Sequence, residues 1–310
     1  MLSIAATASA QVPDVVVTGA AEPCWIILPC GEQRTDWIGW GFGYRSDEDS
    51  DIEVIAAAPG GRLLALLANA PLRVVEIFPD NTRVPVASVP NLGGFDLIVA
   101  RSGAFFVLAG LPGTRQILAF DAAGNHVATY NLPLVYGTMF ELAADQCTLF
   151  NTEPASPSTV RRFNVCSGTP LPDFAIVPAG VTDIDVLPDG EVLLATLTGL
   201  QRYSTAGVLT RSYPIPESVM NAGLTDHGVT ALVMTGPDSS TLLRVNLLSG
   251  QRQDLIPELG INFARSVVPR AAWTAAIGQS FHGGSDVPAL STWAMLVVLA
   301  GLALLGIRRV

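Results

Sequence analysis

Through the middle of the chain, hydrophobic and polar positions change over in short runs broken by turn residues, with no sustained helical period. The stretch VLPDGEVLLATLTGLQRYSTAGVLTRSYPIP (Val186–Pro216) is representative. It reads as a strand end, a Pro-Asp-Gly turn, a strand over Glu191–Thr196 and a strand over Leu200–Ser204. A Thr-Ala-Gly turn then leads into a strand over Val208–Tyr213. Short apolar runs separated by such turns predict consecutive antiparallel hairpins.

The same phrase recurs upstream from Ala56 to Pro90, Val99 to Pro133 and Leu142 to Pro178, and downstream from Leu224 to Leu259. A half copy, SVVPRAAWTAAIG (Ser266–Gly278), follows. Taking the first turn of each copy as a marker gives Gly61, Gly103, Gln146, Gly190, Gly228 and about Ala271, at intervals of 42, 43, 44, 38 and 43 residues. Four strands in about forty residues is the period of a propeller blade.

Six markers predict an all-β, six-bladed β-propeller. A seventh blade follows if the N-terminal segment hides a degenerate copy. A ring must close, because an open blade leaves unpaired edge strands. The half copy offers two inner strands. The segment from Val15 to about Ile38, with DVVVTG and CWIILP, offers the missing outer pair, a Velcro closure.

Composition agrees with this reading. Apolar residues make up 49% of the 310 and charged residues 14%, with 29 Gly and 22 Pro, a mixture that suits many short strands and turns. The net charge of -10 would repel a phosphate backbone, so nucleic acid is not an expected partner. All 17 basic residues are Arg, which removes lysine chemistry such as Schiff bases.

The two ends differ from the middle. MLSIAATASA (1–10) carries Ala8-Ser9-Ala10, the A-x-A form of a signal-peptidase site, but lacks a positive n-region. It reads either as a truncated signal peptide or as an ordinary small-residue terminus. The C-terminal VPALSTWAMLVVLAGLALLGIRRV (Val287–Val310) holds an apolar run closed by Arg308 and Arg309. About nineteen residues at 1.5 Å rise match a bilayer core of roughly 30 Å and predict one transmembrane helix. Trp293 would sit at one interface, and the arginines would stop the helix on the cytoplasmic side. The plan is a leader (1–10), a propeller (11–278), a linker (279–286) and a tail (287–310).

Two resemblances follow. The VLPDGEVLLA phrase with its later RYSTAG beat is similar to bacterial propeller repeats of the broad NHL and YVTN type. The tail, Val287-Pro288-Ala289-Leu290-Ser291-Thr292-Trp293-Ala294 followed by helix and arginines, resembles the IPTL-CTERM class of sorting signals, relatives of PEP-CTERM. Pro288, Leu290, Ser291 and Trp293 agree with that motif; Ala289 and Ala294 depart from its Thr and Gly. The resemblance implies an exported, membrane-anchored or cell-surface protein, with the membrane and a sorting and processing machinery as partners.

Cys147 and Cys166 fall at adjoining ends of the second and third strands of one copy, placing them side by side for a disulfide or as free thiols. Cys24 and Cys30 flank WIILP and could close a small hairpin, unless that segment is fully extended. No spacing suits a metal site. Disulfides would imply an oxidising compartment.

Candidate chemistry is sparse. His126 and His227 lie in predicted turns and His282 in the linker, none with a Ser or Cys partner at a motif spacing. Gly39-Trp40-Gly41-Phe42-Gly43 has no Lys and no following helix pattern. The acidic run Asp47-Glu48-Asp49-Ser50-Asp51, with Glu53, could hold Ca²⁺ or be a solvated loop; it lacks the glycine and spacing of an EF-hand. In propeller enzymes carboxylates gather at inner-strand ends around the channel, positions that here include Asp96, Glu141, Asp183, Asp185 and Asn221. The leading expectation is an exported binding or scaffold module for an unknown surface ligand, without a catalytic residue or cofactor. The alternative is an extracytoplasmic hydrolase or lyase using a divalent metal at the channel mouth.

Overall fold

The computed structural model describes residues 15–20, 33–38, 45–47, 52–59, 62–67, 72–78, 82–90, 94–110, 115–132, 139–152, 156–225, 228–236, 241–256 and 262–269. These form an all-β propeller. Its first strands are β1 (Val15–Ala20), β2 (Gln33–Ile38) and β3 (Arg45–Asp47). Five blades of consecutive strands follow. Blade one is β4 (Ile52–Ala58), β5 (Arg62–Leu67), β6 (Arg73–Ile77) and β7 (Arg83–Ser88). Blade two is β8 (Gly94–Val99), β9 (Phe105–Ala109), β10 (Gln116–Phe120) and β11 (His126–Asn131). Blade three is β12 (Met139–Leu142), β13 (Thr148–Thr152), β14 (Ser158–Asn164) and β15 (Thr169–Val177). Blade four is β16 (Val181–Val186), β17 (Val192–Thr196), β18 (Gly199–Tyr203) and β19 (Leu209–Pro214). Blade five is β20 (Val219–Thr225), β21 (Thr230–Thr235), β22 (Thr241–Asn246) and β23 (Arg252–Ile256).

The remaining strand, β24 (Asn262–Pro269), pairs antiparallel with β1, with Val15 opposite Pro269 and Val17 opposite Val267. The composite sheet runs β24-β1-β2-β3, and β24 contacts both β20 and β4.

This corrects the fold expected from sequence in two respects. The repeat itself yields five blades of consecutive strands, not six or seven; the sixth marker, near Ala271, lies outside the described residues, and the sheet between β20 and β4 is the composite β24-β1-β2-β3. The closing sheet takes one strand from the C-terminal side and three from the N-terminal side, not two and two. Its strands are VVVTGA, QRTDWI and RSD; CWIILP lies outside the described residues. The physical reason is that the strand running into the half copy, NFARSVVP, pairs directly with the β-branched VVVTGA strand. The predicted transmembrane helix falls on the tail, outside the described residues. No helix among the described residues is long and apolar enough to cross a membrane. Residues 1–10 and 287–310, with Arg308 and Arg309, lie outside the described residues, as do Cys24, Cys30, His227, His282 and most of the acidic run.

The described markers, Gly103, Gln146, Gly190 and Gly228, all take positive φ. Gly190 has φ +83°, in the left-handed region that glycine enters without a Cβ penalty. At the equivalent place in blade three stands Gln146, at φ +60°. Its side chain offsets the strain: Oε1 accepts from the Arg101 amide at 2.7 Å, and Nε2 donates to the Ala143 carbonyl at 3.1 Å.

The core lies between blades. Leu64, Leu66 and Val74 of blade one pack with Val107, Leu118 and Phe120 of blade two. Phe105 and Phe120 stack there at 4.9 Å. Each buried aromatic or aliphatic side chain contributes about 1.5–3 kcal/mol. Because both faces of each sheet are covered, the second strands read as unbroken apolar runs: FFVLA in β9 and VLLAT in β17 are buried at every residue.

Candidate functional site in the central channel

The inner strands of the five blades carry a fixed register relative to their turns. Seven residues before each marker stand Val54, Asp96, Met139, Asp183 and Asn221; five residues before stand Ala56, Ile98, Glu141, Asp185 and Gly223. The intervening residue points the other way, because side chains alternate along a strand. All ten line one channel cavity of about 300 Å³. At Val54, Asp96, Asp183 and Asn221 the ladder shifts register just before the residue, and bulges of this kind re-aim side chains.

Asp96 and Asp183 do the same local job. Asp96 accepts from its neighbour's amide, Leu97, at 2.8 Å, and from the Phe140 amide of the next blade at 2.9 Å. Asp183 accepts from Ile184 at 2.9 Å and from Ala222 of the next blade at 2.9 Å. Each carboxyl group staples two inner strands, one oxygen to each. Glu141 and Asp185 are less committed. Glu141 accepts from the Leu142 amide through Oε1 at 2.8 Å. Oδ2 of Asp185 is buried with no hydrogen-bond partner, a costly state for a polar atom.

Among the described residues that line the cavity, none is basic. Burial therefore acts on the acids with little compensation. Desolvation pushes Asp96 up to about 7 against its two amide bonds. It pushes Glu141 up to about 8, with the charges of Asp96 and Asp183 adding to the effect. Asp183 is raised well above the usual range by desolvation and by the charge of Asp185. Asp185 is raised by desolvation and by Glu141. Neighbouring acids in such a box titrate as a set and hold protons near neutral pH. The arrangement can donate hydrogen bonds from protonated carboxyls and accept them on ionised ones.

The inner-strand acids expected from sequence are thus brought together, with Asn221 beside them. Their oxygens are chemically suited to a hard divalent cation. Their placement suits one poorly: Asp96 and Asp183 have both oxygens on backbone amides, and among the described residues no three His, Cys, Asp or Glu side chains are placed to hold a metal ion. His126, expected in a turn, instead opens β11 on blade two, against Thr129 Oγ1 at 2.9 Å and edge-on to Phe120. The inter-blade bonds to Phe140 and Ala222 were not legible in sequence, since they depend on which strands the ring makes adjacent.

A disulfide joins Cys147 and Cys166, with Cα atoms 5.2 Å apart. It closes the hairpin of β13 and β14, where the Val165 amide also donates to the Cys147 carbonyl at 2.8 Å.

No family model matches the chain, so the likeness to NHL and YVTN repeats and to IPTL-CTERM tails gains no support there. No curated protein matches it either. Solved structures do. A gluconolactonase from Xanthomonas campestris superposes with a TM-score of 0.55 and 17% identity over 66% of this chain and 76% of its own. A protein of unknown function from Bacteroides caccae superposes with a TM-score of 0.61 and 11% identity over 83% of this chain and 99% of its own. At these identities the likeness is one of propeller fold.

Proposed function

We propose that this protein is an exported propeller whose channel performs acid–base hydrolysis on a small, uncharged, oxygen-rich substrate of the lactone or ester class. The observation that carries this reading is the box of Asp96, Glu141, Asp183 and Asp185 around one cavity. A protonated Glu141 supplies a proton, and an ionised Asp185, with its unpartnered oxygen, accepts one from water. Groups that titrate near the working pH are the ones effective in both roles. Asp96 and Asp183 act as positioning residues, since their oxygens are engaged with backbone. The gluconolactonase among its structural neighbours fits this reading through fold alone. The Cys147–Cys166 disulfide supports an oxidising, extracytoplasmic location.

The test is hydrolysis of D-glucono-1,5-lactone and a panel of small esters, followed by pH-stat between pH 5 and 9. Glu141→Gln and Asp185→Asn are expected to lose on the order of 10² to 10⁴ in rate, the usual weight of a general acid or base, with unchanged circular dichroism. Equal rates in the variants, or no turnover of any lactone or ester, would reject hydrolysis. A binding or scaffold role is the second reading. The stapling of adjacent blades by Asp96 and Asp183 favours it, because it gives half of the box a structural purpose. Retention of a lactone by the wild type without turnover would support it.

A further inference from the structure

We propose that blade three carries a second small-molecule site, separate from the channel, that takes an α-amino acid through its carboxylate and ammonium groups. The site begins with an irregularity in sequence. Five residues past the turn markers stand Leu66, Leu108 and Ala195 in blades one, two and four, but Asn151 in blade three. Asn151 is 2% exposed, and its Oδ1 has no hydrogen-bond partner. An amide oxygen left so in an apolar run is costly unless something meets it.

The neighbouring strands open a space for that partner. The pairing of β14 with β15 passes from Val160 opposite Ala175 to Arg162 opposite Leu171, so β15 spends four residues where β14 spends two. The extra backbone stands off as Pro172 and Asp173, and Arg162 Nε holds it by donating to the Pro172 carbonyl at 2.9 Å. The result is a cavity of about 270 Å³, lined by Asn151, Arg161, Arg162 and Asp173 with an apolar side from Leu132 and Phe163. Asn151 and Arg161 are direct cross-strand partners and so share one face of the sheet. The next pair on that face, Leu149 and Phe163, packs against blade two.

This set is complementary to a zwitterion. The guanidinium on the Asn151 face, that of Arg161, is the group to recognise a carboxylate. Asp173 and the Asn151 oxygen both accept, which suits an ammonium group with several N–H donors. Leu132 and Phe163 suit an apolar side chain. The volume is small for a drug-sized ligand and right for a single amino acid.

Isothermal titration of the intact chain with L-leucine and L-phenylalanine tests the proposal, with 4-methylpentanoic acid and isopentylamine as probes lacking one charge each. Saturable binding of an amino acid is expected, at least tenfold tighter than either single-charge probe. Asn151→Leu and Arg161→Gln should each weaken it by about tenfold or more. Asn151→Leu should leave the melting temperature unchanged or higher, because it removes an unsatisfied polar atom. Glu141→Gln should leave this binding intact, which separates the site from the channel. No saturable binding at millimolar amino acid overturns the proposal, as does equal affinity in the folded Asn151→Leu variant. Equal binding of the single-charge acid would overturn the zwitterion assignment.

Discussion

Tyr213, on the outer strand of blade four, donates its hydroxyl to the carbonyl oxygen of Leu247 in blade five at 2.6 Å. Tyr130 of blade two does the same to Val165 of blade three at 2.7 Å. The repeat thus ties each of these blades to its successor at the rim as well as at the channel. The two ties are not equal. Arg211 also donates to Leu247, at 3.1 Å, and its guanidinium lies 5.1 Å from the Tyr213 ring.

Loss of the hydroxyl should therefore cost less at Tyr213 than at Tyr130. Tyr213→Phe is expected to destabilise by about 0.5–1 kcal/mol and Tyr130→Phe by about 1–2 kcal/mol, within the range for a hydrogen bond whose acceptor is left behind. Thermal unfolding of both variants checks the order; a larger loss at Tyr213 would refute it.

Stability should fall as pH rises through neutrality. Asp96 and Glu141 bind protons more tightly folded, at about 7 and about 8, than unfolded, near 4. Below about pH 4 they are protonated in both states. Between about 4 and 8 the unfolded chain releases protons that the folded chain keeps, so each group removes up to about 1.4 kcal/mol of stability per pH unit. Exposed acids held below their usual range, such as Asp121 and Glu217, act in the opposite sense only in more acidic solution. Urea midpoints across pH 4–8 should decline, and Asp96→Asn should flatten the slope. A midpoint that climbs across that window would contradict the buried-acid box.

Reduction of Cys147–Cys166, which spans a sequence separation of 19, should cost about 3 kcal/mol in the chain-entropy treatment. Differential scanning calorimetry of the Cys147→Ser/Cys166→Ser variant beside the oxidised protein measures it.

Turn glycines should differ sharply in tolerance. A Cβ at Gly207 would lie 2.0 Å from the Phe174 carbonyl oxygen, backbone that cannot swing aside, and φ there is +78°. At Gly190 the nearest atom would be a Thr205 methyl at 3.4 Å. Gly207→Ala is expected to cost more than about 3 kcal/mol, and Gly190→Ala about 1–2 kcal/mol from φ alone. Chemical denaturation of the pair decides this, and equal losses would show that the inter-blade approach does not matter.

The hairpins, the forty-residue beat and the inner-strand acids were legible because strand periodicity, turn chemistry and spacing are local properties. The seven-residue offset that carries Asp96 and Asp183 lies in plain view once the turns are aligned. Asn151 carried a signal too, a polar residue where its counterparts are Leu or Ala, but a lone Asn says nothing about the strand bulge that opens space beside it.

What the sequence alone determined was the class of structure and which residues could face a channel, since alternation along a strand and a Gly or Gln in a left-handed turn follow from short-range sterics. What the tertiary structure decided was how the ring closes and what the acids meet. Pairing β24 with β1 brings together residues some 250 apart in the chain, and the raised proton affinity of Asp96, Glu141, Asp183 and Asp185 exists only because several blades converge on one desolvated space. Burial and adjacency of that kind are properties of the assembled ring, and no segment contains them.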